Sequence, residues 1–247
     1  MFIDVHCHLE LLHSVGGAVE SAREEGVDLI LWNGTDVKTN RQILEFAEKF
    51  EEIKPVFGLY PSDALKLSDI EIDSEISFIK ENRNFIVGIG EVGMDFYHVG
   101  LHERQEGIFR KFIRLSIELD KPIIVHSRKA ELQCIEILEE ECAEKVIMHC
   151  FFGNFELIDR IVKNGWFLTI PTCCKHNKHF QDVISKYPIK NFLCETDSPY
   201  MHPDRSGKNE PANVVESYKM ISKIKGISLV DVEREIERNF HKLFGIF

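Results

Sequence analysis

Eight short apolar or β-branched runs alternate with amphipathic stretches along 247 residues, and no long linker or shift in composition interrupts them. Several of these runs are continuously apolar rather than alternating, which is the pattern of parallel strands covered on both faces. Together the observations predict an α/β chain folded as a single (β/α)8 TIM barrel over residues 1–247, with an extra C-terminal helix. A chain of roughly 250 residues is an ordinary size for one such barrel. An open, doubly wound sheet is the alternative architecture for the same alternation.

The expected strands are Phe2–Val5, Val27–Trp32, Lys54–Leu59, Phe85–Gly90, Pro122–Val125, Lys145–Met148, Trp166–Ile170 and Asn191–Cys194. Among the intervening helices, Arg104–Leu119 places Ile108, Phe112, Leu115 and Leu119 at steps of three and four, the helical period. Glu131–Cys142 does the same with Leu132, Ile135 and Leu138. The stretch Ser228–Leu243 reads as the extra helix.

The composition narrows the function. A formal charge of −11 argues against a protein that coats nucleic acid non-specifically. If phosphate is handled, a local site must neutralise it, and metal cations are the natural device. Seven cysteines without a C-x-x-C pair point to a reducing, cytoplasmic setting rather than a disulfide framework. No apolar run approaches the roughly 20 residues of a membrane span, and no signal-peptide pattern opens the chain.

Barrel active sites form at the C-terminal ends of the strands. Five of the expected ends carry metal-ligand residues: Asp4-Val5-His6-Cys7-His8, Gly90-Glu91, Val125-His126, Met148-His149 and Glu195-Thr196-Asp197. Side chains two apart on a strand share a face, so His6 and His8 can grip one cation. His6, His8 and Asp197 form one ligand set, His126 and His149 a second, and Glu91 has two oxygens with which to bridge them. Such nitrogen and oxygen donors suit two divalent ions, Zn²⁺, Mn²⁺ or Mg²⁺, and metal-assisted hydrolysis. Cys7, Cys150 and Cys194 read as small buried neighbours, and the vicinal Cys173-Cys174 as structural.

Gly88-Ile89-Gly90-Glu91-Val92-Gly93 spells G-x-G-x-x-G, the dinucleotide fingerprint. No helix is expected to open directly after it, and Glu91 would face a pyrophosphate. The glycines are better read as a tight turn and a close approach at the barrel rim.

These segments resemble the TatD-type metal-dependent deoxyribonucleases, a branch of the amidohydrolase-like barrels. The resemblance runs over nearly the whole chain. It covers DVHCHL at Asp4–Leu9, GEVGMDF at Gly90–Phe96, Arg104-Gln105, PIIVHSR at Pro122–Arg128 and HCFFG at His149–Gly153. It continues through ETDSPYMHP at Glu195–Pro203, then Arg205, Gly207, Asn209-Glu210-Pro211 and Asn239. It implies a divalent-metal centre held by His6, His8, Glu91, His126, His149 and Asp197, with Asp197 also accepting a proton from the attacking water. It implies phosphodiester hydrolysis of DNA, with RNA a further candidate, through a two-metal-activated water and exonucleolytically on single strands.

Many members of the family carry a histidine, in a G-x-H-P stretch after the third strand, where Gly58-Leu59-Tyr60-Pro61 has Tyr60. Tyrosine can donate a hydrogen bond to phosphate but is a poorer proton shuttle near neutral pH. Arg128 and Arg205 are the cations expected beside a bound phosphate, because the guanidinium fork suits that contact. His98 and His202 are the remaining histidines nearest to ligand-bearing segments. An ester or amide hydrolase on the same metal centre, for example an aminoacyl-tRNA deacylase, is the alternative activity. A non-catalytic metal- or phosphate-binding protein is a third reading. No membrane or obligate protein partner is expected.

Overall fold

The computed structural model describes residues 1–97 and 100–245, so His98 lies outside the described residues. Its strands are β1 (Phe2–Cys7), β2 (Val27–Asn33), β3 (Ile53–Phe57), β4 (Gly88–Gly93), β5 (Ile123–His126), β6 (Val146–Met148), β7 (Phe167–Pro171) and β8 (Phe192–Glu195). They form one sheet in chain order, with helices between successive strands, and that is the topology of the expected (β/α)8 barrel. The chain divides into two compact units: Met1–Trp32 with Ala47–Lys54 and Leu168–Phe247, and Asn33–Phe46 with Pro55–Phe167.

In the first unit β1 pairs in parallel with β2, Ile3 opposite Leu29, and β7 with β8, Ile170 opposite Cys194. A parallel bridge from Cys7 to Ser198 ties the end of β1 to the segment after β8. These strands are covered on both faces: Ile3, Val5, Ile30, Leu193 and Cys194 are fully buried, and so are Asp4 and His6, which alternate with Ile3 and Val5 along β1. Tyr218 both accepts the N–H of Ile3 (3.0 Å) and donates to its carbonyl (3.1 Å), so the helix Val215–Lys225 is buttoned to β1. The expected extra helix spans Leu229–Phe244, with Ser228 capping its start. It buries Val232, Ile236 and Phe240, and Asn239 donates to the carbonyls of Ile189 and Phe192, both at 2.8 Å.

In the second unit β3, β4, β5 and β6 pair in sequence, all parallel. The helix Asp69–Glu81 opens with a capping box between Ser68 and Glu71. The helix His102–Leu119 buries Ile108, Phe112 and Leu115 as its period requires. In the helix Glu131–Glu140 the buried face is Cys134, Ile135, Ile137 and Leu138, while Leu132 is exposed, a shift from the expected face.

The fourth strand lies three residues later than the sequence suggests. Phe85, the first apolar residue of the run, is 62% exposed, and the strand is the glycine segment Gly88–Gly93 itself. Those glycines are strand residues rather than a turn. The close approach is real: a Cβ on Gly93 would lie 1.9 Å from the carbonyl oxygen of His126. The dinucleotide alternative fails here, because the next helix starts only at His102.

Candidate metal centre

His6 sits within β1 and His8 just beyond it, and the two-residue period turns both rings the same way. Their Nε2 atoms lie 3.2 Å apart. Asp197 Oδ1 lies 3.8 Å from the first and 3.7 Å from the second. Asp197 follows β8 by two residues and has a left-handed backbone, φ 54°, which costs a non-glycine residue free energy. Its N–H donates to the carbonyl of His6 (2.9 Å), and the His8 N–H to that of Ser198 (2.9 Å). Two backbone bonds thus set the carboxylate against the imidazoles.

A carboxyl group absent from the sequence-based site supports this triad. Asp4, fully buried on β1, accepts the N–H and hydroxyl of Thr196 at 2.9 and 2.6 Å, and more weakly the N–H of His6. Burial pushes its pKa up to about 8, against the pull of those hydrogen bonds. Asn209, which carried only resemblance in the sequence, clamps the next turn by donating to Thr172 Oγ1 (2.9 Å) and to the carbonyl of Thr196 (2.8 Å).

The second unit holds the second triad. Glu91, inside β4, places Oε1 2.8 Å from Nδ1 of His126, the last residue of β5, and 3.2 Å from Nε2 of His149, directly after β6. His126 has Asp95 on its other side, with Nε2 3.3 Å from Oδ2. Burial disfavours the imidazolium, but Asp95 and Glu91 outweigh it, and the pKa of His126 is raised.

Tyr60 joins this triad. Its hydroxyl donates to Asp95 Oδ2 (2.8 Å) and lies 3.3 Å from His126 Nε2. Burial, reinforced by Glu91 and Asp95, holds its phenol well above the ordinary tyrosine range, so it stays a neutral donor. Sequence reasoning missed Asp95, which is fully buried four residues past Glu91. Gln105 holds it in place, its side chain accepting the Asp95 N–H (2.7 Å) and donating to its carbonyl (3.1 Å).

The expected phosphate cations are exposed. Arg128 lies two residues past His126, with its guanidinium carbon 4.0 Å from the centre of the Tyr97 ring. Arg205, on the loop after β8, has a left-handed backbone and makes no side-chain ion pair among the described residues. Nδ1 of His202 accepts the N–H of Asp204 (3.0 Å), so that ring is engaged in its own turn. Cys173 and Cys174 are buried in a short 3-10 turn, and burial pushes the Cys173 thiol up to about 12.

Each triad brings three ligand atoms within 4.8 Å of one another, all imidazole nitrogens or carboxylate oxygens. That donor set fits borderline or hard divalent ions. Two such sets on a (β/α)8 scaffold define a metal-dependent hydrolase. The chain belongs to the TatD related DNase family, whose model matches residues 3–245. An uncharacterized metal-dependent hydrolase of Methanocaldococcus jannaschii is 33% identical over 246 residues, covering 98% of this chain and 96% of the relative. Human deoxyribonuclease TATDN3 is 29% identical, covering 98% of this chain and 94% of that protein. The fold matches the crystal structure of YjjV, a TatD homologue of Escherichia coli K12, with a TM-score of 0.92 at 23% identity, over 100% of this chain and 98% of the other.

Proposed function

We propose that this hydrolase cleaves phosphodiester bonds of DNA, removing nucleotides from the ends of single strands in the cytoplasm. The observation that carries the reading is the pair of buried triads, His6–His8–Asp197 and Glu91–His126–His149. A relative that bears the name deoxyribonuclease supports it. A reducing, cytoplasmic setting fits the seven cysteines, which are free thiols.

On this reading each triad holds one divalent ion. Bound ions supply the positive charge that polarises the phosphodiester and acidifies water. Asp197 accepts a proton from the attacking water as the new P–O bond forms and the ester P–O bond breaks. Its bond to the His6 carbonyl holds the carboxylate in place for that transfer. Tyr60, protonated at every working pH, acts as a hydrogen-bond donor and not as a base. Arg128 neutralises the phosphate next along the strand.

The test is nucleotide release from end-labelled single-stranded DNA by chelator-treated protein, resupplied with Mg²⁺, Mn²⁺ or Zn²⁺, with Asp197→Asn alongside. Ion-dependent release that falls on the order of a hundredfold or more in the variant is expected. No release with any ion, beside ion-dependent turnover of an aminoacyl ester, would replace this reading with the ester hydrolase.

A further inference from the structure

We propose that the loops after β4, β5 and β6 form a stacking platform for an unpaired nucleobase, built on Tyr97 beneath Arg128 with Phe152 on the neighbouring loop. The inference deepens the proposed function, since it names the part of a nucleic-acid strand bound beside the second triad.

Apolar groups exposed together, rimmed by polar ones, mark binding surfaces. Tyr97 is 60% exposed and Phe152 47% exposed. They stand four residues beyond Gly93 and Met148, the last residues of β4 and β6, and Arg128 two residues beyond the last residue of β5. The register sets Gly93 opposite His126 and Val125 opposite Met148, so these three loops leave adjacent strand ends. Neighbouring strands are about 4.8 Å apart, so the loops that follow them start close together.

The platform is fixed, not trailing. The N–H of Tyr97 donates to Asp95 Oδ1 at 2.8 Å, while Oδ2 of the same buried carboxyl accepts the Tyr60 hydroxyl. The N–H of Phe96 donates to the carbonyl of Arg128 at 2.9 Å, which locks the two loops together. Arg128 then lays its guanidinium over the ring, a cation–π contact that immobilises both side chains. Lys129 follows it in sequence, also exposed, in a chain of net charge −11.

That combination matches a single strand. Bases stack on aromatic rings and guanidinium planes irrespective of sequence, while cations follow the phosphates. A paired base in a duplex hides its faces between its neighbours and cannot use such a surface.

Equilibrium binding to the full chain in chelator, followed by fluorescence anisotropy, tests the platform without turnover. The probes are a short labelled oligothymidylate and an abasic oligomer of equal length, which keeps the phosphates and lacks the bases. The thymidylate is expected to bind about tenfold tighter. Tyr97→Ala should erase that preference, costing the thymidylate several-fold more than the abasic probe, and Tyr97→Phe should keep it. Equal affinity for the two probes, equal losses for both in Tyr97→Ala, or no binding of either overturns the platform. Base preference without ion-dependent hydrolysis of the same DNA would leave the platform standing and overturn the nuclease reading.

Discussion

Tyr60 donates its hydroxyl to Asp95 at 2.8 Å, and the oxygen that receives it also faces His126 Nε2. With an ion in the triad, this carboxylate would accept Nε2–H of His126 and so hold the Nδ1 lone pair toward the ligand atoms. Outer partners of this kind set the tautomer and basicity of a ligating histidine, and losing one typically costs 10–100-fold in metal affinity. Asp95→Asn should therefore weaken the ion held by Glu91, His126 and His149 by about that factor, as read by competition with a chromophoric chelator. Tyr60→Phe, which removes only the far end of the chain, should weaken it less. Equal and negligible effects would show that the network merely packs.

If each triad holds an ion of its own, with Glu91 serving one of them alone, the ions should be lost separately. Elemental analysis after dialysis against limiting metal should find two ions in the wild-type chain. His8→Ala and His149→Ala should each retain about one, because removing one of three ligands leaves too few donors to compete with buffer. Complete loss in either single variant would show that the sites fill only together.

Backbone contact makes a sharper case. A Cβ on Gly58 would lie 2.5 Å from the carbonyl carbon of Gly90 and 2.7 Å from the oxygen of Glu91. The Asn40 amide grips Gly58 on its other side, donating to its carbonyl (3.0 Å) and accepting its N–H (3.3 Å), so the residue has nowhere to retreat. Gly58→Ala is expected to cost about 3 kcal/mol in urea melts and to shift Glu91 away from His126 and His149. Gly107 offers the opposite sign. It lies in the helix His102–Leu119 with nothing within 4 Å of an added Cβ. Gly107→Ala should add roughly 0.5–1 kcal/mol through helix propensity. If both changes moved stability in the same direction, the steric account of Gly58 would be wrong.

How much of this was readable from residues alone differs by physical cause. Continuous apolar runs located seven of the eight strands because those strands are buried on both faces, and His6 and His8 followed from the strand period. The fourth strand was misplaced because Phe85-Ile86-Val87 has β composition, whereas Gly88–Gly93 has the composition of a turn. Only the crowding of Gly93 against His126 shows why glycine is required there. Asp95 and Asp4 were illegible for a different reason. A single aspartate near a strand end looks the same whether it caps a turn or holds a histidine. Its role shows only through its partners, Tyr60 and Gln105 for one and Thr196, from the far end of the chain, for the other.

Acid stability depends on groups remote from the triads. Glu141 accepts two hydrogen bonds from Arg114, both at 2.8 Å, and one from Arg110 at 3.0 Å. Arg110 also pairs with Glu106 and Glu140, so five charged side chains form one network. The Arg114 guanidinium, and Arg110 with it, hold the Glu141 carboxyl below its ordinary value of 4.5, although partial burial works the other way. A carboxyl depressed on folding stabilises the folded chain above its unfolded pKa, and the contribution disappears as pH falls through the folded one. Glu141→Gln should thus cost about 1 kcal/mol at pH 7, a magnitude limited by solvent around the 65% exposed Arg114 side chain. Wild type and variant should then converge as the pH is lowered from about 4.5, the ordinary value from which Glu141 is depressed. Denaturant melts of both proteins across that range measure the gap. A gap that stays constant down to the acid limit of the fold would assign the effect to lost packing, not to the charge of Glu141.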